Sequence, residues 1–156
     1  MKRLILITAV ILTLCSCSIK LADDYYGSKS DGELSAVISI NCSTADDRGK
    51  HDGAEILGDY SVKIDESATV FDALKNACRD NRIQLDFKGS GDSVYVSGID
   101  YLYEFDCGSL SGWEYSVDGV FPSVGCNAFK LKGGEKISWL YTCDLGEDIG
   151  NKYRED

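Results

Sequence analysis

The chain has 156 residues, 44% of them hydrophobic, and its 16 Lys plus Arg against 26 Asp plus Glu leave a net charge of -10. That is enough for one domain with a core of its own, and the acidity excludes a partner held through phosphate charge, so no nucleic acid partner is expected. One His and seven Cys leave little material for acid–base catalysis and much for cross-links, so no enzyme is expected.

The chain opens with Lys2 and Arg3, an apolar run from Leu4 to Leu14, and Cys15-Ser16-Cys17, which reads as a targeting segment. The run is far shorter than the roughly 20 residues that a membrane-spanning helix needs. Leu14-Cys15-Ser16-Cys17 resembles the bacterial lipobox, with Ser before the cleavage point and Cys17 as the acylated residue. Choosing Cys15 instead would put Leu14 where the pattern wants a small side chain. The resemblance implies a signal peptide over 1–16 and lipidation at Cys17, palmitate included. It also implies an extracytoplasmic protein held to the cell membrane, or to the outer membrane where the organism has one. The plainer alternative is an ordinary secretory signal cut nearby. Removal of Lys2 and Arg3 makes the mature chain more acidic still, so the anchor and not charge is the expected membrane partner. Residues 17–33, with Asp23, Asp24, Gly27, Ser28, Ser30, Asp31 and Gly32, have no apolar periodicity and read as a flexible tether reaching roughly 20 Å.

From Leu34 the pattern alternates, with Leu34, Ala36, Ile38, Ile40 and Cys42 on one face, the mark of a half-buried strand. A polar loop over 44–58 leads to a second strand through Tyr60, Val62 and Ile64. Thr69 and Asp72 form a capping-box pattern, and Val70, Phe71, Leu74, Ala77 and Cys78 follow the spacing of one buried helical face, ending near Asn81. Short alternating segments follow: Ile83, Leu85 and Phe87; Val94 and Val96; Tyr101, Tyr103 and Phe105; then Trp113, Tyr115 and Val117. Asp118-Gly119 is a strong signal for a tight hairpin turn. The last strand places Ile137, Trp139, Tyr141 and Cys143 on one face, so Trp139 and Tyr141 are expected in the core. The expected fold is α+β: one β-grasp-like domain over 34–150, a mixed sheet with one main helix, stapled by disulfides, and a polar tail over 151–156.

In an oxidising compartment the cysteines beyond Cys17 are expected to be structural. Cys78, on the apolar helix face, is the expected unpaired thiol. Cys42 and Cys143 end the first and last strands, which a β-grasp sets side by side, so Cys42–Cys143 and Cys107–Cys126 are the expected bridges. No metal site is expected, because there is no Cys-x-x-Cys and His51 sits in a polar loop. Asp144, Glu147 and Asp148 lie close together but lack the alternating ligand spacing of a calcium loop.

"SGWEYSVDG" (111–119) and "VGCNAFKLKGGEKISWLYT" (124–142) resemble the transcobalamin-like C-terminal domain family. "SATVFDALKNAC", "LYEFDCG" and "CDLGEDIG" resemble its bacterial branch, a domain of unknown function. In the animal carriers of that family this domain is the smaller half of a clamp whose hairpin lies over a corrinoid. The resemblance carries the hairpin strand to Trp113, the turn to Gly119 and Pro122, the next turn to Gly125, and the last strand to Leu131, Gly134 and Ile137. It implies cobalamin or another corrinoid as ligand, with no cofactor. Unlike in those carriers, no helical partner domain is expected beside this domain.

The ligand-binding candidates are Trp113, Tyr115, Asp118 and Phe121, because hairpin tips carry binding and flat rings offer large apolar contact. The expected function is a lipid-anchored extracytoplasmic ligand-binding protein taking a small molecule or corrinoid for delivery to a membrane transporter. The alternative is a cell-surface interaction or adhesion module that binds a protein or a cell-wall polymer.

Overall fold

The structure, a computed structural model, describes residues 32–151. The expected leader, the acylated Cys17, the tether up to residue 31 and the tail beyond residue 151 lie outside the described residues. Seven strands and two α-helices run in the order β1 (Leu34–Asn41), α1 (Ser43–Asp46), β2 (Glu55–Ile64), α2 (Val70–Asn81), β3 (Leu85–Lys88), β4 (Tyr95–Ile99), β5 (Leu102–Tyr103), β6 (Gly112–Val117) and β7 (Lys136–Thr142).

The strands form two sheets, ordered β2-β1-β7-β6 and β3-β4-β5. β1 runs parallel to β7 and antiparallel to β2, while β6 pairs antiparallel with β7. The central, parallel placing of the first and last strands is therefore present. The expected single mixed sheet is not, because the short segments after α2 pair among themselves.

Alternation decides what β1 buries: Ala36, Ile38, Ile40 and Cys42 are all out of solvent, as are Ile137, Trp139, Tyr141 and Cys143 of the last strand. α2 starts where Thr69 and Asp72 cap each other reciprocally, which satisfies two of the N–H groups that a helix start leaves open. It stops at Arg82, whose φ of 58° ends the helical run. Its face of Val70, Phe71, Leu74, Ala77 and Cys78 joins residues of both sheets in one core cluster.

Several expectations change. The loop expected over 44–58 is shorter, since α1 occupies its start and β2 begins at Glu55, held by pairing of Asn41 with Glu55 and Ile40 with Leu57. Backbone pairing carries that strand through a polar stretch with little apolar signal. The face assigned to Tyr101, Tyr103 and Phe105 is reversed: all three are exposed, and Leu102 is buried. A two-residue turn at Asp100 and Tyr101, both at positive φ, pairs Ile99 with Leu102 and so turns Leu102 inward.

The expected bridges are also corrected: Cys42, Cys78, Cys107, Cys126 and Cys143 are all free thiols. The parallel register places Asn41 beside Leu140, so Cys42 is level with Tyr141. Cys143 lies two residues, about 6.6 Å, further along its strand. The Cys42 thiol reaches the Gly53 carbonyl at 3.3 Å, whereas that of Cys143 reaches the Thr44 carbonyl at 3.5 Å. The Cys126 thiol reaches the Val94 carbonyl at 3.9 Å. Cys78 is buried on the helix face as expected, and burial raises its thiol to about 12.

Candidate functional site

Three elements and one loop enclose a cleft of about 220 Å³. β4 contributes Tyr95 and Val96 with Val94 just before it, β6 contributes Trp113, Glu114 and Tyr115, and β7 contributes Trp139. Phe121, Pro122, Gly125 and Cys126 close the remaining side. The alternation of β6 and β7 makes this arrangement: Tyr115 faces Trp139 across the ladder and Trp113 faces Tyr141. The Tyr115 and Trp139 rings lie 5.5 Å apart, and those of Trp113 and Tyr141 meet edge to face at 5.2 Å.

The loop from Phe121 to Phe129 is fixed by polar contacts. The Tyr115 hydroxyl donates to the Val124 carbonyl at 2.7 Å, and the Asn127 amide donates to the Gly91 carbonyl at 2.9 Å. At Gly125 a Cβ would lie 3.0 Å from the Asp92 carbonyl oxygen, so a larger residue would push the loop a few tenths of an ångström away.

The cleft is mainly apolar, and its titratable groups are held neutral or paired. Burial first, then a hydrogen bond with Glu104, raises the Tyr95 phenol to about 12. Burial likewise raises the Cys126 thiol to about 11. Glu114 accepts from the Asn151 side chain at 2.6 Å. One polar atom stands out: the Trp139 indole N–H is buried with no hydrogen-bond partner among the described residues. The Trp113 indole N–H, in contrast, donates to the Leu102 carbonyl at 2.9 Å.

Of the four candidates from the sequence, Trp113, Tyr115 and Phe121 line this cleft and Asp118 does not. Asp118 holds the hairpin turn instead, its side chain accepting from the Lys136 N–H at 2.9 Å. Trp139 lines the cleft while being buried, so alternation hides its second role. Val94 and Val96 come from one short segment and Cys126 from another, and no local pattern links the two.

His51, in the polar loop before β2, meets three groups. Its Nδ1 is 3.3 Å from the Cys42 sulfur and 3.0 Å from the Gly53 carbonyl, and its Nε2 is 3.3 Å from Asp100. The order resembles a thiol–imidazole–carboxylate relay, but burial first, then Asp46 and Asp100, raises Cys42 to about 11. A thiol so disposed is not the thiolate that nucleophilic attack needs. The trio clasps the 47–54 loop to the Asp100 turn. Asp148 accepts from Thr142 and from the Cys143 N–H, so its oxygens cap a local turn. No group of three metal-ligating side chains occurs among the described residues.

Residues 67–142 match the family described as a domain of unknown function, DUF4430. No curated protein matches the sequence. Among solved structures, haptocorrin in complex with Cbi is similar at a TM-score of 0.54 and 12% identity, over 75% of this chain and 27% of that one. A Ruminococcus gnavus protein described as a metal binding candidate is similar at 0.49 and 8% identity, over 70% of this chain and 97% of its own. The likeness to haptocorrin is one of fold, and the matched region is about a quarter of that protein.

Proposed function

We propose that the protein is a lipid-anchored, extracytoplasmic, non-enzymatic binding protein. Its cleft takes an apolar ring or edge of a small amphipathic molecule, such as a corrinoid, for delivery to a membrane transporter. The observation that carries this reading is the aromatic cleft lined by Trp139, a ring whose buried N–H has no partner among the described residues. Buried donors are almost always paired, and a ligand carbonyl or carboxamide oxygen would supply the missing acceptor. The cleft is smaller than the roughly 300 Å³ at which a drug-sized ligand is enclosed. A corrinoid would therefore seat one edge there and lie over Phe121 and Pro122. The fold shared with part of haptocorrin, a structure solved with Cbi, supports the same ligand class. Anchoring at Cys17 and delivery to a transporter extend the lipobox reading of the leader.

The test is calorimetric titration of the chain from Ser18 onward with cobalamin and with cobinamide, beside a Phe121→Ala variant. Binding at micromolar Kd or tighter is expected. The variant should bind about tenfold more weakly, since a partly buried ring contributes roughly 1.5 kcal/mol. Absence of heat from folded protein would refute the corrinoid reading. A second reading, a surface module binding a protein or cell-wall polymer, is favoured by Tyr101 and Phe105. These rings are 74% and 60% exposed at positive φ, a conformation that is costly for bulky residues.

A further inference from the structure

Beyond the last β6–β7 pair, Gly112 with Thr142, the two chains stay side by side, and the Leu145 N–H donates to the Leu110 carbonyl at 2.9 Å. The segment before β6 folds back onto this junction. Phe105 N–H donates to the Ser111 carbonyl at 3.1 Å, Ser111 N–H to the Gly108 carbonyl at 3.0 Å, and Cys107 N–H to the Ser111 hydroxyl at 3.1 Å. Ser111 is the residue that comes level with Cys143 across the extended ladder. Cys107 is thereby brought to the neighbourhood of Cys143. No other pair of the described cysteines shares such an environment: Cys42 faces His51 and Gly53, Cys126 faces Val94, and Cys78 is enclosed in the helix face.

We infer that Cys107 and Cys143 form a redox pair that closes to a disulfide in an oxidising compartment. Cys107 is partly exposed and Cys143 is buried, so Cys107 meets the oxidant first. Its thiolate attacks a disulfide oxidant such as oxidised glutathione, forming a mixed disulfide and releasing one glutathione thiol. Cys143 then attacks the Cys107 sulfur and displaces the second. The two protein thiols lose two protons and two electrons, one S–S bond forms within the chain, and one oxidant disulfide becomes two thiols. The product ties the 104–111 segment to the end of β7. Burial, followed by the Cys107 side chain, raises the Cys143 thiol to about 11. The second step therefore quickens as pH rises.

The test treats the full chain with oxidised glutathione, alkylates it under denaturing conditions and maps the peptides by mass spectrometry, which keeps Cys15 and Cys17 separate from the five domain cysteines. The expected result is a peptide cross-linked through Cys107 and Cys143, with Cys42, Cys78 and Cys126 alkylated. The melting midpoint should fall by roughly 10 °C on reduction, and should not respond to reductant in Cys107→Ser. Alkylation of all five, or a bridge between any other two, would overturn the inference. The wild-type map decides the matter even if the variant folds poorly.

Discussion

Trp113 is held on two sides, its indole N–H bonded to the Leu102 carbonyl and its ring edge-on to Tyr141. It also lines the cleft, so a single side chain supports both the core and the candidate site. At 5% exposure the structural role dominates. Trp113→Ala should cost about 3–5 kcal/mol, from lost burial and from the Leu102 carbonyl left unpaired. Urea unfolding measures this directly, and a cost below 1 kcal/mol would show that the ring is dispensable to the fold. Phe121, only half buried in a loop, is the better probe of binding. Sequence alone made Trp113 a binding candidate because it stands near a hairpin. Its bond to Leu102 depends on a strand whose facing the sequence pattern had reversed. Asp118 was equally visible in the sequence, and its proximity to the hairpin was real, but its carboxylate is used by the Lys136 backbone.

The helix α2 shows how much an element can owe to the few residues at its start. Burial would raise the Asp72 carboxyl, but hydrogen bonds from Thr69 and contact with Lys75 outweigh it and hold the group below its usual 3.8. A carboxyl lowered in the folded state stabilises fully above its unfolded value, and that contribution is lost as pH falls through the lower folded value. Asp72→Ala should therefore cost about 1 kcal/mol at neutral pH, and the gap from the parent protein should close in acid. Denaturation midpoints at pH 7 and pH 3 check this, and an equal gap at both would detach the effect from the charge. This helix was readable because its cap and its apolar spacing are local. β2 was only half readable: Tyr60, Val62 and Ile64 carry alternation, while Glu55 to Asp59 are strand because β1 and its bulges pair with them.

Across the whole molecule, both sheets and α2 contribute to one buried cluster. Residues from β4 on one sheet and from β6 and β7 on the other form opposite walls of the same cleft. Thermal unfolding should accordingly be a single cooperative transition, with calorimetric and van't Hoff enthalpies equal. Two resolved transitions would make the three-stranded sheet a separate unit. The sequence by itself determined the first and last strands, the capped helix and the inward faces of Trp139 and Tyr141, because periodicity and capping act over a few residues. It also set the net charge of -10. Only the tertiary structure decided that the later strands form a second sheet, that Leu102 and not Tyr101 turns inward, and that Val94, Phe121, Cys126 and Trp139 share one cleft. It alone set Cys107 against Cys143 and His51 between Cys42 and Asp100. These are long-range juxtapositions, made by register and by loops folding back, and no spacing along the chain records them.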